Sequence, residues 1–152
     1  MNFITLSGGT KSQRQLAGDV ASYAVHTLLP RFSTLDIEIK LKKLPDTDGW
    51  CWEEDHNSYQ IEIEKTLSKD DFITCILHEM VHVKQGARKE LVDSQGKRYW
   101  MGKDYSNTDY FNLPWEKEAY GLQEDLLISY YDFVNTADHL TGIHKRRSKV
   151  FS

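Results

Sequence analysis

Ser68-Lys69-Asp70-Asp71-Phe72-Ile73-Thr74-Cys75-Ile76-Leu77-His78-Glu79-Met80-Val81-His82-Val83-Lys84-Gln85-Gly86 is the stretch on which the fold turns. Phe72, Ile76 and Met80 form one row at helical spacing, and Ile73, Leu77 and Val81 form a second. Together they make a broad apolar stripe that must be buried. Ser68 suits an N-cap, Asp70 and Asp71 place negative charge in the first turn, and Gly86 is a natural stop. His78 and His82 lie four apart at the border of the stripe. On a helix two such side chains stand one above the other, so both imidazoles reach one point in space.

The elements around this helix come from other periodicities. Leu16, Val20, Tyr23, Ala24 and Leu28 predict a helix from Gln15 to Leu29, closed by Pro30. Leu35 to Leu41 alternates apolar and polar, as does Tyr59 to Glu64, and Trp50 to Glu54 reads as a short strand between them. Turn residues fill Pro45 to Gly49 and Asp55 to Ser58. Residues 35–65 therefore read as an antiparallel meander; Tyr59–Glu64 precedes the motif helix, the place that the cleft-edge strand has in zincins, which His78-Glu79-x-x-His82 resembles. Residues 1–13 read as a loose lead-in. Lys89 to Tyr110 is irregular, a hairpin or a loop over the site. After Pro114 a second long helix is predicted from Trp115 to about Val134, with Trp115, Ala119, Leu122, Leu126, Tyr130 and Phe133 as its core stripe. The tail from Asp138 to residue 152 carries Lys145, Arg146, Arg147 and Lys149 and reads as solvated. The expected class is α+β, a small antiparallel sheet packed with the motif helix and the second helix. All 152 residues form one domain.

Composition narrows the function classes. Net charge is −4, so nothing global favours nucleic acid, although the basic tail is a place where it would bind. No basic and then apolar leader opens the chain and no segment is long and apolar enough to span a bilayer. Cys51 and Cys75 are the only cysteines. A cytoplasmic chain with reduced thiols, Cys75 as a small buried one, is the expectation.

His78-Glu79-x-x-His82 is the H-E-x-x-H pattern. Two imidazoles hold one zinc ion, and the intervening Glu79 is placed as the general base for the water that zinc activates. The expected activity is a zinc-dependent endopeptidase acting on a protein or peptide. A catalytic zinc needs a third protein ligand. Gln85 and Arg88 stand where a metzincin has glycine and histidine, so that ligand comes from elsewhere. Glu116 and Glu118, at the start of the second long helix, are the candidates. They flank its apolar stripe at similar angles, so geometry leaves both open. Tyr99, Tyr105, Tyr110, His139 and His144 are candidates, by residue type, to stabilise an oxyanion. His26 and His56 read as packing and surface residues, and Trp50 and Trp52 as core or cleft wall.

His78-Glu79-x-x-His82 followed by Glu116-x-x-Ala119 resembles the gluzincin order, in which the ligand glutamate has a small residue three positions later. The segment also resembles the ImmA/IrrE-type peptidases, whose second helix carries Glu-x-x-Ala. Leu113-Pro114-Trp115-Glu116-Lys117-Glu118-Ala119 after Trp100-x-Gly102 resembles small phage and bacterial metallopeptidases. The resemblance covers roughly residues 59–130. It implies a zincin-like domain, Glu116 as the third ligand and, for a phage-encoded chain, the host cytoplasm. The ImmA/IrrE pattern has Asn after the Ala, where this chain has Tyr120. Two other readings are a zinc-stabilised interaction module without proteolysis and a SprT-like protease acting on DNA-bound proteins.

Overall fold

The computed structural model describes residues 1–141. Strand β1 (Phe3–Gly8) leads into helix α1 (Lys11–Leu28). Strands β2 (Asp36–Lys42), β3 (Gly49–Asp55) and β4 (Ser58–Glu64) follow, then the motif helix α2 (Lys69–Ala87). Three short strands, β5 (Leu91–Ser94), β6 (Lys97–Trp100) and β7 (Lys103–Asp104), precede a single 3-10 turn at Tyr110–Asn112 and helix α3 (Pro114–Thr141). The class is α+β. Among the described residues no helix is long and apolar enough to cross a membrane.

The main sheet is mixed, with order β1-β2-β4-β3. β1 runs parallel to β2, β2 parallel to β4, and only β3 is antiparallel, to β4. Three expectations are corrected here. Residues 1–13 are not a loose lead-in, because Ile4 and Leu6 turn inward and β1 completes a β-α-β crossover with α1. The 35–65 region is not an antiparallel meander. Alternation reports that one face of a strand is buried and is silent on its neighbours and their direction. For the same reason β4 is central and not at the cleft edge; the hairpin through Asn57 leaves β3 on the rim.

The entry to α1 shows why the crossover is tight. Gly8 and Gly9 have positive φ, 78° and 58°. A Cβ on Gly8 would come within 2.0 Å of the Leu41 carbonyl oxygen, so only glycine lets β1 turn there. Thr10 then caps α1 by accepting from the Gln13 amide, while the Gln13 side chain accepts from Thr10. That reciprocal cap starts the helix at Lys11, a full turn before the predicted Gln15.

All three helices lie on one side of the main sheet. Ile37, Ile39, Leu41, Tyr59, Ile61 and Ile63 form its inner face, and α2 covers them with Phe72, Ile73, Ile76, Leu77, Met80 and Val81, all buried. Each such aliphatic side chain stabilises the fold by about 1.5–3 kcal/mol. The other face carries Glu38, Lys40 and Glu62 and packs no helix. Helix α3 lies along α2 and reaches α1, where Tyr23 meets Tyr130 edge-on at 5.5 Å and its hydroxyl bonds Ser129. Trp115, Ala119, Leu126 and Tyr130 of the predicted stripe are buried. Leu122 is half-buried, and Phe133 is 52% exposed, correcting its placement in the core. The helix also runs to Thr141, past the predicted end near Val134 and into the stretch from Asp138 read as tail.

Residues 91–104 fold as a separate three-stranded antiparallel sheet, order β5-β6-β7. Gln95-Gly96 and Met101-Gly102 all have positive φ, the conformation that two-residue hairpin turns require. This small sheet is pinned over the first turn of α3. Arg98 lies 5.1 Å from the Trp115 ring, and Trp100 and Tyr105 pack on the same indole.

Candidate metal centre

The two motif histidines meet the carboxylate of one glutamate. His78 Nε2 is 3.0 Å from Glu116 Oε1, and His82 Nε2 is 3.2 Å from Glu116 Oε2. Ligand atoms of His78, His82 and Glu116 all lie within 4.8 Å of one another, so the three can hold one metal ion. Among the described residues this is the one such group. Both helices explain it. His78 and His82 are one turn apart on α2, and Pro114 starts α3 so that its first turn faces them.

Glu118 points the other way. Its carboxylate accepts from Lys84 Nζ at 2.7 Å and from Gln85 Nε2 at 3.0 Å. In space Glu116 joins the histidines, and Glu118 closes a half-buried ion cluster beside them.

The other nitrogen of each imidazole is also occupied. His78 Nδ1 is 2.9 Å from Gln123 Oε1, and His82 Nδ1 is 2.8 Å from Gln85 Oε1. Gln85 is fully buried, and its amide nitrogen donates to the Trp115 carbonyl and to Glu118, which fixes its oxygen towards His82. A neutral imidazole has a single N–H. Each ring here is flanked by an acceptor at both nitrogens, so the second position calls for a cation or an extra proton. With Nδ1–H given to glutamine, Nε2 is left as a lone-pair donor, which is how a metal-binding histidine is held. Two nitrogens and a carboxylate, with the remaining direction opening into a cleft, fit a catalytic metal site.

Electrostatics follow the same logic. Burial opposes ionisation of Glu116, but hydrogen bonds and charge from His78 and His82 overcome it and hold the carboxyl down to about 2. Burial alone would depress His82, whereas its bond to Glu116 and the charge of Glu79 raise it. Glu79 is 5% exposed, and burial pushes its carboxyl up against the opposing pull of His82 and His78. Among the described residues no hydrogen bond reaches the Glu79 carboxylate.

A cleft of about 390 Å³ passes over the centre. Strand β3 forms one wall through Gly49, Trp50, Cys51, Trp52 and Glu53; Leu91, Asp93 and Arg98 of the small sheet form the far end. Two glycines set the approach of the walls. A Cβ on Gly49 would stand 2.7 Å from Cys75 Sγ, and one on Gly86 2.8 Å from the Tyr59 hydroxyl. Gly86 therefore lies inside α2, which ends at Ala87, and serves close packing beside the site, not helix termination. Cys51 and Cys75 are unpaired and half-buried, not fully buried; burial first, then the Glu79 charge, pushes both thiols up.

Of the five oxyanion candidates, Tyr110 is at the centre. Its hydroxyl donates to Glu116 Oε1 at 3.2 Å and lies 3.4 Å from the Tyr120 hydroxyl. Tyr99 is on β6 and Tyr105 packs on Trp115, both away from the ligands. The side chain of His139, His144 and the Lys145-to-Lys149 cluster all lie outside the described residues. His26 lines a surface groove between α1 and α3 and His56 sits in the β3–β4 turn, as expected. Trp50 and Trp52 are cleft wall, not core, 48% and 41% exposed.

Gln85, Gln123, Lys84 and Tyr120 were not singled out in the sequence. A signal for them exists. Gln85 follows His82 by three residues on α2, while Tyr120 and Gln123 follow Glu116 by four and seven on α3, all on the ligand face. The Tyr120 ring packs edge-on against His78 at 4.6 Å. Compared with known protein families, curated proteins and solved structures, the chain matches no family model, no curated protein and no solved structure.

Proposed function

We propose that the protein is a zinc-dependent endopeptidase of zincin-like architecture, with His78, His82 and Glu116 holding one zinc ion and Glu79 as general base. One observation carries the reading: both Nε2 atoms converge on the Glu116 carboxylate while the buried Glu79 carboxylate beside them has no protein partner. A purely structural site has no use for such a base and usually closes with a fourth protein ligand. The nitrogen and oxygen donors suit zinc among the common ions.

Bound zinc supplies an acidified water and a Lewis acid for the scissile carbonyl. Glu79 takes the proton from that water and returns it to the departing amine, a role that its raised pKa favours. The Tyr110 hydroxyl beside Glu116 would donate to the oxygen that gains charge at the scissile carbon. The outer edge of β3 is unpaired and borders the cleft, so an extended peptide adds there as a further strand. The small sheet over Trp115 closes the far end. The unpaired cysteines suit a reducing compartment, and we place the activity in the cytoplasm, that of the host for a phage-encoded chain.

Glu79→Gln tests the reading. The variant keeps its shape, its fold and one zinc per chain, yet hydrolyses a peptide substrate about a thousandfold more slowly. Zinc content by elemental analysis and turnover on an identified substrate are measured on both proteins. Undiminished turnover removes Glu79 from the reaction, and a folded wild-type protein that takes up no zinc removes the whole assignment.

A further inference from the structure

On the side of the centre away from the small sheet, the cleft continues into a second cavity of about 410 Å³. The two share Thr47, Gly49, His78, Glu79 and Tyr110, so the metal centre sits at their junction. Their charges differ. The first arm has Arg98 at its end, paired with Asp93 at 2.8 Å. The second arm is lined by the carboxylates of Asp48, Asp71 and Glu79 and by the hydroxyls of Thr47 and Thr74, with no lysine or arginine among its lining residues.

These carboxylates come from different elements, and the backbone of each aspartate is held in place. Asp48 precedes β3, and its carbonyl accepts from the Glu64 amide at 2.8 Å. Asp71 is in the first turn of α2, its amide bonded to the Ser68 cap. A helix start favours acidic residues, and that accounts for Asp70 or Asp71, but not for Asp48 arriving from another element. No ion pair to Asp48 or Asp71 occurs among the described residues. Glu79, 95% buried by its 5% exposure, directs an unpartnered carboxylate into the same space. All three line the same cavity as Cys75.

Resting on the peptidase reading, we propose that this second arm is a specificity subsite for a cationic side chain, lysine or arginine, of the substrate. Asp48 and Asp71 receive the charge and Thr47 and Thr74 offer hydroxyl acceptors. The arm selects by charge because an acidic side chain there would face like charges with no compensating cation, while an aliphatic one leaves the carboxylates unpaired.

Matched peptide hydroxamates, which bind through the metal, separate this idea from the reading beneath it. Two series carry lysine, norleucine or glutamate on one side or the other of the chelating group. Their affinity for the zinc-loaded full chain is measured by calorimetry. In one series the lysine compound binds about tenfold more tightly than norleucine, and glutamate more weakly still. Asp48→Asn with Asp71→Asn abolishes the preference and leaves the norleucine affinity within about twofold. Both aspartates are exposed, so the variant folds; circular dichroism checks it, and each single substitution shows about half the loss. Tight binding without a lysine preference in either series, or a preference that survives the double substitution, overturns the subsite and leaves the metallopeptidase reading standing. No binding of any hydroxamate overturns both.

Discussion

Helix α3 presents two carboxylates two residues apart to α2, Glu116 buried and Glu118 half-buried, and the molecule neutralises them in different ways. Glu118 meets Lys84, whose ammonium also holds Glu90 at 2.9 Å; the cation belongs to the chain. Glu116 meets two imidazoles whose other nitrogens are already committed to Gln123 and Gln85, so its charge is met by an added proton on an imidazole or by a metal ion that the three groups could hold. Gln85 joins the clusters, accepting from His82 and donating to Glu118. A buried charge must be paired. One helix pair therefore builds an ion cluster and, beside it, a group of two imidazoles and a carboxylate that could hold a metal ion.

The sharpest way to break this comparison is to remove each glutamate. Glu116→Ala weakens zinc affinity by more than about 100-fold, the upper range for merely supporting residues, whereas Glu118→Ala changes it far less. Competition with a chromogenic chelator measures both, and the reverse order would interchange the roles assigned to the clusters. Next comes Lys84→Met, which leaves the half-buried Glu118 and Glu90 without their cation. Its expected effect is a loss of about 3 kcal/mol in denaturant unfolding with zinc content kept near one per chain. A variant that unfolds normally but loses zinc would show that the ion cluster is part of the metal site. Gln123→Ala removes the acceptor at His78 Nδ1 and nothing else in the metal shell. We expect zinc affinity to fall about tenfold with little change in melting temperature. An unchanged affinity would mean that Gln123 does not orient the ring.

The smallest effect concerns another buried carboxylate, held mainly by backbone and hydroxyl hydrogen bonds, with Lys43 3.4 Å away. Glu64 accepts from the Leu44 amide at 2.8 Å and from the amide and hydroxyl of Thr66, tying the β2–β3 loop to the approach of α2. Those bonds, the Leu44 amide first, hold its carboxyl down to about 2 from an ordinary 4.5. Its contribution is therefore complete above pH 4.5 and disappears as the pH falls through 2. Glu64→Gln should lower the melting temperature at neutral pH, with the difference from wild type shrinking between those two values. A difference independent of pH would assign the loss to geometry and not to charge.

How much of this was legible in the chain depends on the range of each interaction. The motif helix, its Ser68 cap and the stacking of His78 over His82 are local, governed by 3.6 residues per turn, and stand as read. The alternating strands were legible for the same reason. Their order was not, since pairing joins Ile4 to Ile37 and Ile37 to Tyr59 across the chain. Parallel direction followed from the crossover that Gly8 and the Thr10 cap make possible. Residues 91–104 looked irregular because strands of two to four residues give too short a period to detect.

By itself, then, the sequence determined that one helix would carry two imidazoles and an intervening carboxylate on its border, and that an acidic first turn would open a second long helix. Helical geometry and the burial of apolar stripes suffice for that. Only the tertiary structure decided that Glu116 and not Glu118 meets the imidazoles, that Gln85 and Gln123 hold their far nitrogens, and that β3 and not β4 is the edge strand along the cleft. Those outcomes depend on how far α3 is rotated about its axis and where it crosses α2. That rotation is set by Trp115, Ala119, Leu126 and Tyr130 packing on surfaces contributed by distant parts of the chain, a sum no local periodicity contains.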